Sequence, residues 1–204
     1  GDTSWVHCPR DFLQTQISRL KQHKLEVKAA FENEFFLLKE TYEPADNTVF
    51  AMTSSMNQHR EFILEFTQAL EAQGLYPEYY YSEAGPGQQE LSIRYSNALV
   101  AADNQIVFRE TARGVAQKYN LVVSFLPKII ENAAGSGCHI NLSLWQGEHN
   151  VMGDTSHATG ISETGRYFIA GILHHLPALT ALTIPTRNSF RRIRPHFWAG
   201  AFTA

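Results

Sequence analysis

Few folds accommodate the stretch Leu25 to Leu38, Leu-Glu-Val-Lys-Ala-Ala-Phe-Glu-Asn-Glu-Phe-Phe-Leu-Leu. Its β-branched and aromatic content favours an extended strand, and polar residues alternate near its middle. A period of two puts Glu32 and Glu34 on one face and Phe31, Phe35 and Leu37 on the other. The apolar face demands a core. Two carboxylates on the opposite face repel each other unless a cation or water separates them. Taken alone, the pattern is the ordinary one of a solvent-facing strand carrying two acids.

Other elements follow from periodicity. Leu13, Ile17 and Leu20 predict a helix over Arg10 to Lys24. Thr41 to Asn47 reads as a turn. Phe62, Phe66 and Leu70 form one stripe of a helix over Asn57 to Gln73, stopped by Gly74. Strands are expected at Tyr79 to Ser82, Glu90 to Tyr95, Val122 to Phe125 and Cys138 to Trp145. Gly85-Pro86-Gly87 is a loop, because that triplet sustains neither helix nor ladder. Ala98 to Tyr119 is the longest helical candidate, and Ala133 to Gly137 is a small-residue loop. Ser162 can cap a helix to about His175, with Pro177 expected to interrupt it. No repeat or linker appears, so residues 1–204 are expected to form a single domain.

Composition narrows the function. With 44% hydrophobic residues, the 204-residue chain can bury a sizeable core. Seventeen basic against 20 acidic side chains leave no basic excess for nucleic acid. No apolar run is long enough for a membrane span, and the N-terminus lacks the pattern of a signal peptide. Two cysteines, Cys8 and Cys138, fit a reducing, cytoplasmic setting. The chain starts without Met and stops in the apolar stretch Trp198 to Phe202, so a fragment of a longer protein is expected.

Glu83 and Glu90 flank the glycine loop, which can fold back to aim both acids at one centre, although a plain hairpin also explains them. His139, Asn141 and Ser143 alternate with Ile140, Leu142 and Leu144, giving a strand with one polar face suited to metal and nucleotide contacts. For His139 alone, a satisfied core histidine is the ordinary reading. Four carboxylates and one imidazole favour hard cations, Mg²⁺ or Mn²⁺ over Zn²⁺. Neither a P-loop nor a Rossmann turn occurs. The tyrosines Tyr79, Tyr80 and Tyr81 read as core and rim packing, and His149 and His157 as exposed.

Four segments together carry a resemblance: Phe31-Glu32-Asn33-Glu34-Phe35-Phe36, Ser82-Glu83-Ala84-Gly85-Pro86-Gly87-Gln88-Gln89-Glu90, Gly135-Ser136-Gly137-Cys138-His139-Ile140-Asn141-Leu142-Ser143 and Asn188-Ser189-Phe190-Arg191-Arg192. In this order they resemble the catalytic domain of glutamine synthetases. The resemblance implies an α+β fold, a curved antiparallel sheet around a two-metal site with helices outside. It implies that Glu34, Glu83 and Glu90 hold one divalent ion, and that Glu32 and His139 hold a second with a further Glu beyond residue 204. It implies that Gly135 and the catalytic Arg192 bind the acid substrate, and that Ser143, with Asn141, lies at the ATP. The implied reaction passes the γ-phosphoryl of ATP to the carboxylate of glutamate or a similar acid, and an amine or ammonia then displaces phosphate. The family's members are homo-oligomers. Its small N-terminal β-rich domain and its C-terminal segment are expected to be absent from this stretch, which by itself is not expected to turn over.

The sequence departs from the ammonia-using pattern. Pro195-His196-Phe197-Trp198-Ala199-Gly200 stands where those members carry Pro-Gly-Tyr-Glu-Ala-Pro, so Trp198 replaces the Glu that acts on ammonium. An indole accepts no proton, though its face binds a cation. Ala134 replaces an Asn common in the glycine loop. Both changes point to an amine other than ammonia. Ordinary glutamine synthesis and a non-catalytic assembly or regulatory role are the alternatives, and core packing is an equal explanation of Trp198.

Overall fold

The structure is a computed structural model that describes residue 5 and residues 7–48 and 50–193. The order of elements is α1 (Pro9–Gln22), β1 (Glu26–Lys39), α2 (Thr53–Gln58), α3 (Arg60–Ala72), β2 (Pro77–Ser82), β3 (Gln88–Ile93), β4 (Ser96–Asn97), α4 (Ala98–Lys118), β5 (Leu121–Ser124), β6 (Cys138–Gln146), β7 (His149–Asn150), α5 (Glu163–Thr183) and α6 (Arg187–Arg192). The strands form one seven-stranded sheet, every pair antiparallel.

β1 is the spine of this sheet. Lys28 pairs with both Asn97 of β4 and Ser143 of β6, and Phe36 pairs with both Gln88 of β3 and Ser124 of β5. One edge of β1 is therefore followed by β4 and then β3, the other by β6 and then β5. The second edge has a gap. β6 covers residues 26–33 and β5 covers residues 36–39, which leaves Glu34 and Phe35 between them.

The apolar phase of β1 makes the core, as the alternation requires. Phe35 and Leu37 are fully buried against Phe62, Phe66 and Leu70 of α3, Phe108 and Ala112 of α4, and Val123 of β5. Phe66 and Phe108 meet edge to face at 5.2 Å between centroids, a preferred arrangement for ring quadrupoles. The helical stripe Phe62, Phe66, Leu70 is thus the buried face of α3.

Two expectations are corrected. The single helix over Asn57 to Gln73 is two helices abutting at His59, where the backbone leaves helical geometry (φ −103°, ψ 19°). The cause is tertiary: the His59 ring bonds the Asp46 carboxylate at 2.9 Å, with both side chains buried. Pro177 does not end α5, which runs on to Thr183. Proline removes one helical hydrogen bond and crowds the carbonyl four residues back. Leu173, which supplies that carbonyl, is 61% exposed, so water can serve it. The stripe Leu13, Ile17, Leu20 is helical, yet α1 buries none of its residues. Among the described residues no helix is long and apolar enough to cross a membrane.

Candidate active site

The site is the polar face of β1 and the strands beside it. Glu32 stands directly opposite His139, and Glu34 directly opposite Glu90. Like charges directly opposite in a ladder are destabilising, so this face is shaped for something other than stability. The sheet brings Glu32, Glu34, Glu90 and His139 to one side. Glu83 follows the end of β2, where its backbone N–H bonds the Gln88 carbonyl at 2.8 Å. Its charge reaches Glu34 and Glu90 and raises the pKa of both.

Each acid is oriented. Oε2 of Glu34 accepts from Gln88 Nε2 at 3.0 Å and from the Gly137 N–H at 2.8 Å. Its other oxygen, Oε1, faces His139 Nδ1 at 4.0 Å. Glu32 holds His139 Nδ1 at 3.0 Å through Oε2 and accepts from Asn141 Nδ2 at 2.8 Å through Oε1. The Tyr81 phenol hydrogen-bonds Glu90, its partner across β2 and β3.

The electrostatics record the crowding. Burial raises the Glu34 pKa above its ordinary value. The Gly137 N–H opposes this, Glu83 adds to it, and Arg192 and His139 offset part of it. Burial likewise pushes Glu90 up to about 7, against the hydrogen bond from Tyr81 and with the charges of Glu34, Glu83 and Glu32. These groups sit close together with too little positive charge to balance them.

That donor set fits divalent cations: oxygen-rich, with one imidazole, and short of cations. Both hydrogen bonds to Glu34 fall on one oxygen, which leaves the other turned toward His139. Among the described residues no three acidic, imidazole or thiol side chains already converge on a single ion. Side-chain rotation at Glu32 and Glu83 would be part of any binding event.

Gly137 and Gly135 explain the small-residue loop. A Cβ on Gly137 would lie 2.7 Å from Glu34 Oε1 and 2.9 Å from Arg192 Nη2, inside any real contact. One on Gly135 would collide with the Pro127 carbonyl oxygen. Gly135→Ala is therefore expected to cost about 1–3 kcal/mol in urea unfolding, as overpacking does. An unchanged midpoint would show that the loop yields freely. Arg192 lies over this loop, its Nε 3.5 Å from the Gly135 carbonyl oxygen. The structure thus places Gly135 and Arg192 side by side.

Two expected nucleotide residues are less simply placed. Asn141 is engaged with Glu32. Ser143 lies four residues along β6 from His139, about 13 Å on the same face. Its Oγ accepts from Trp145 Nε1 at 2.9 Å. Beside it, the Lys28 ammonium sits 3.7 Å from the centre of the Trp145 ring. Trp198 lies outside the described residues.

Several residues of the site escaped sequence reasoning. Gln88 shares the face of Glu90 by period two, a signal that was available. Of the tyrosines read as packing, Tyr79 is exposed and Tyr81 instead reaches Glu90. The grip of Asn188 on the backbone of Lys128, at 2.8 and 2.7 Å, has no local signature at all.

The chain is similar to proteins already known. The family model described as glutamine synthetase, catalytic domain, matches residues 6–204. Type-1 glutamine synthetase 1 of Dictyostelium discoideum is 36% identical over 96% of this chain and 42% of its own length. A gamma-glutamylpolyamine synthetase of Streptomyces coelicolor is 40% identical over 67% of this chain and 29% of its own. Among solved structures, a novel glutamine synthase homolog superposes with a TM-score of 0.89 at 34% identity, covering 96% of this chain and 46% of that one. The ADP complex of GmaS superposes with a TM-score of 0.85 at 28% identity, covering 93% and 45%. The chain spans less than half the length of these proteins. By sequence, by its curved antiparallel sheet with flanking helices and by the solved structures it resembles, the chain belongs to the glutamine synthetase family.

Proposed function

We propose that the chain is the catalytic core of an ATP-dependent ligase that joins the side-chain carboxylate of glutamate, or a similar acid, to an amine larger than ammonia. The observation that carries this is the shared face of Glu32, Glu34, Glu90 and His139, with Glu83 at its rim and Arg192 over the glycine loop. Glu34, Glu83 and Glu90 would hold one Mg²⁺ or Mn²⁺, and Glu32 and His139 would help hold a second. When bound, such ions neutralise the phosphoryl oxygens during transfer.

The chain's own residues do the rest. Arg192 offers a planar, permanently charged fork to the substrate carboxylate. The Gly137 N–H and Gln88 fix Glu34, so that carboxylate enters the reaction preorganised. Ser143, with Lys28 and Trp145 beside it, lies far enough along β6 to meet the nucleoside end of ATP while the phosphates reach the acids. Phosphoryl transfer to the acid gives an acyl phosphate, and attack by the amine nitrogen at its carbonyl carbon expels phosphate. The relative named for polyamines and the indole of Trp198 support the larger amine. Cytoplasmic placement and assembly with further copies of the chain belong to the same proposal.

The test is phosphate release by the protein with its full natural sequence, given ATP, Mg²⁺, glutamate, and either ammonium or a series of mono-, di- and polyamines. Release that requires both acid and amine, and is faster with a larger amine than with ammonium, is the expected result. Release with ammonium alone would return the protein to ordinary glutamine synthesis. No release with any amine would favour the non-catalytic reading.

A further inference from the structure

The glycine loop is held from a distance. Asn188, in the short helix α6, grips the Lys128 backbone at both polar atoms. Its Oδ1 accepts from the Lys128 N–H at 2.8 Å, and its Nδ2 donates to the Lys128 carbonyl at 2.7 Å. The buried Lys128 then sends its ammonium to the Ala133 carbonyl, across the mouth of the loop. The loop closes so tightly that Gly135 meets Pro127, and its far end delivers the Gly137 N–H to Glu34. This delivery occurs at the gap between β6 and β5, where no strand pairs with Glu34 on that edge.

α6 has six residues, too few to be stable alone. Thr186 caps it, accepting from the Ser189 N–H at 3.1 Å. Asn188 anchors it to the loop, and one turn later it presents Arg192 over Gly135 and Gly137. A two-point amide grip on a backbone constrains position and rotation together, as a single bond does not.

We propose that Asn188 is a positioning residue for the acid substrate. By clasping Lys128 it fixes the loop over residues 127–137 and Arg192 as one unit, so that the arginine fork and the Gly137 N–H stay registered with Glu34. This rests on the ligase reading above for its consequence in turnover, but the clasp itself is structural. Misplacement of such a clamp by about an ångström is enough to lower activity a hundredfold.

Two measurements decide it, made with Asn188→Ala and Asn188→Asp. The aspartate keeps the acceptor for the Lys128 N–H and loses the donor to its carbonyl. In hydrogen–deuterium exchange, residues 127–137 of Asn188→Ala should exchange about tenfold faster or more, with β1 and β3 unchanged and Asn188→Asp in between. Unchanged exchange in the loop, or equal acceleration throughout the chain, would overturn the clasp. If the alanine variant does not fold, the aspartate variant makes the same comparison. In turnover, KM for the acid should rise about tenfold while KM for ATP moves less than about twofold. Equal rises in both would overturn the positioning role. Absence of turnover in the unsubstituted protein would strike the ligase reading alone, because the exchange pattern decides the clasp without it.

Discussion

Asp46→Ala is expected to lower unfolding stability by about 3 kcal/mol, because removing a buried carboxylate leaves its donors without their acceptor. Asp46 is 7% exposed and serves four donors. Its Oδ2 takes Ser55 Oγ at 2.8 Å and His59 Nε2 at 2.9 Å, and its Oδ1 takes the Thr48 backbone N–H and hydroxyl. Ser55 in turn accepts from Gln89 of β3 at 3.0 Å, so the cluster ties the β1–α2 loop, the α2–α3 joint and β3 together. Burial raises the Asp46 pKa, but the bonds from His59, Thr48 and Ser55 outweigh it and hold the carboxyl well below the usual range. A depressed folded pKa gives stability that is present above the unfolded value, about 3.9, and is lost as pH falls through the folded one. Urea unfolding from pH 7 to pH 3 checks both points. The native protein should lose stability below about pH 4, and Asp46→Ala should lose less of it there. A variant within 1 kcal/mol of the native protein, with the same acid slope, would show that the cluster does not hold the loop.

The second large effect has the opposite sign. Glu90→Gln should stabilise the metal-free protein at pH 8 by about 1–2 kcal/mol, a linkage value discounted for screening by polar neighbours. The Glu90 carboxyl is raised to about 7 by burial and by Glu34, Glu83 and Glu32. A raised folded pKa gives relative stability that is complete below the unfolded value, about 4.3, and is lost as pH rises through about 7. The native protein in EDTA should therefore weaken from pH 5 to pH 8, and Glu90→Gln should weaken less. Added Mn²⁺ should restore the native protein at pH 8 and stabilise the variant less. Destabilisation by Glu90→Gln at pH 8 in EDTA would mean that the carboxylates are not repelling one another.

Much of this was legible in the sequence because it depends on local period. β1, β6, α3 and α4 are long and regular, and the acids at Glu32 and Glu34 fall on one face by alternation alone. That Glu34 meets Glu90 and Glu32 meets His139 was implied by the family resemblance, while the strand register that achieves it leaves no local trace in the sequence. The break at His59 is dictated by Asp46, thirteen residues earlier, and so is invisible to helical periodicity. The persistence of α5 through Pro177 depends on exposure, which composition does not reveal. α6 and the grip of Asn188 span 60 residues of sequence, and the bond from Gln88 to Glu34 spans 54. Side-chain bonds over such separations emerge only once the sheet is assembled.

Calorimetric titration of the protein with Mn²⁺ at pH 7.5, repeated with Glu34→Gln and His139→Ala, is the most direct trial of a face built for cations. Saturable heat in the native protein, weakened about tenfold or more in each variant, is the predicted outcome. No heat of binding, or equal affinity in all three proteins, would mean that these acids and this imidazole do not share an ion.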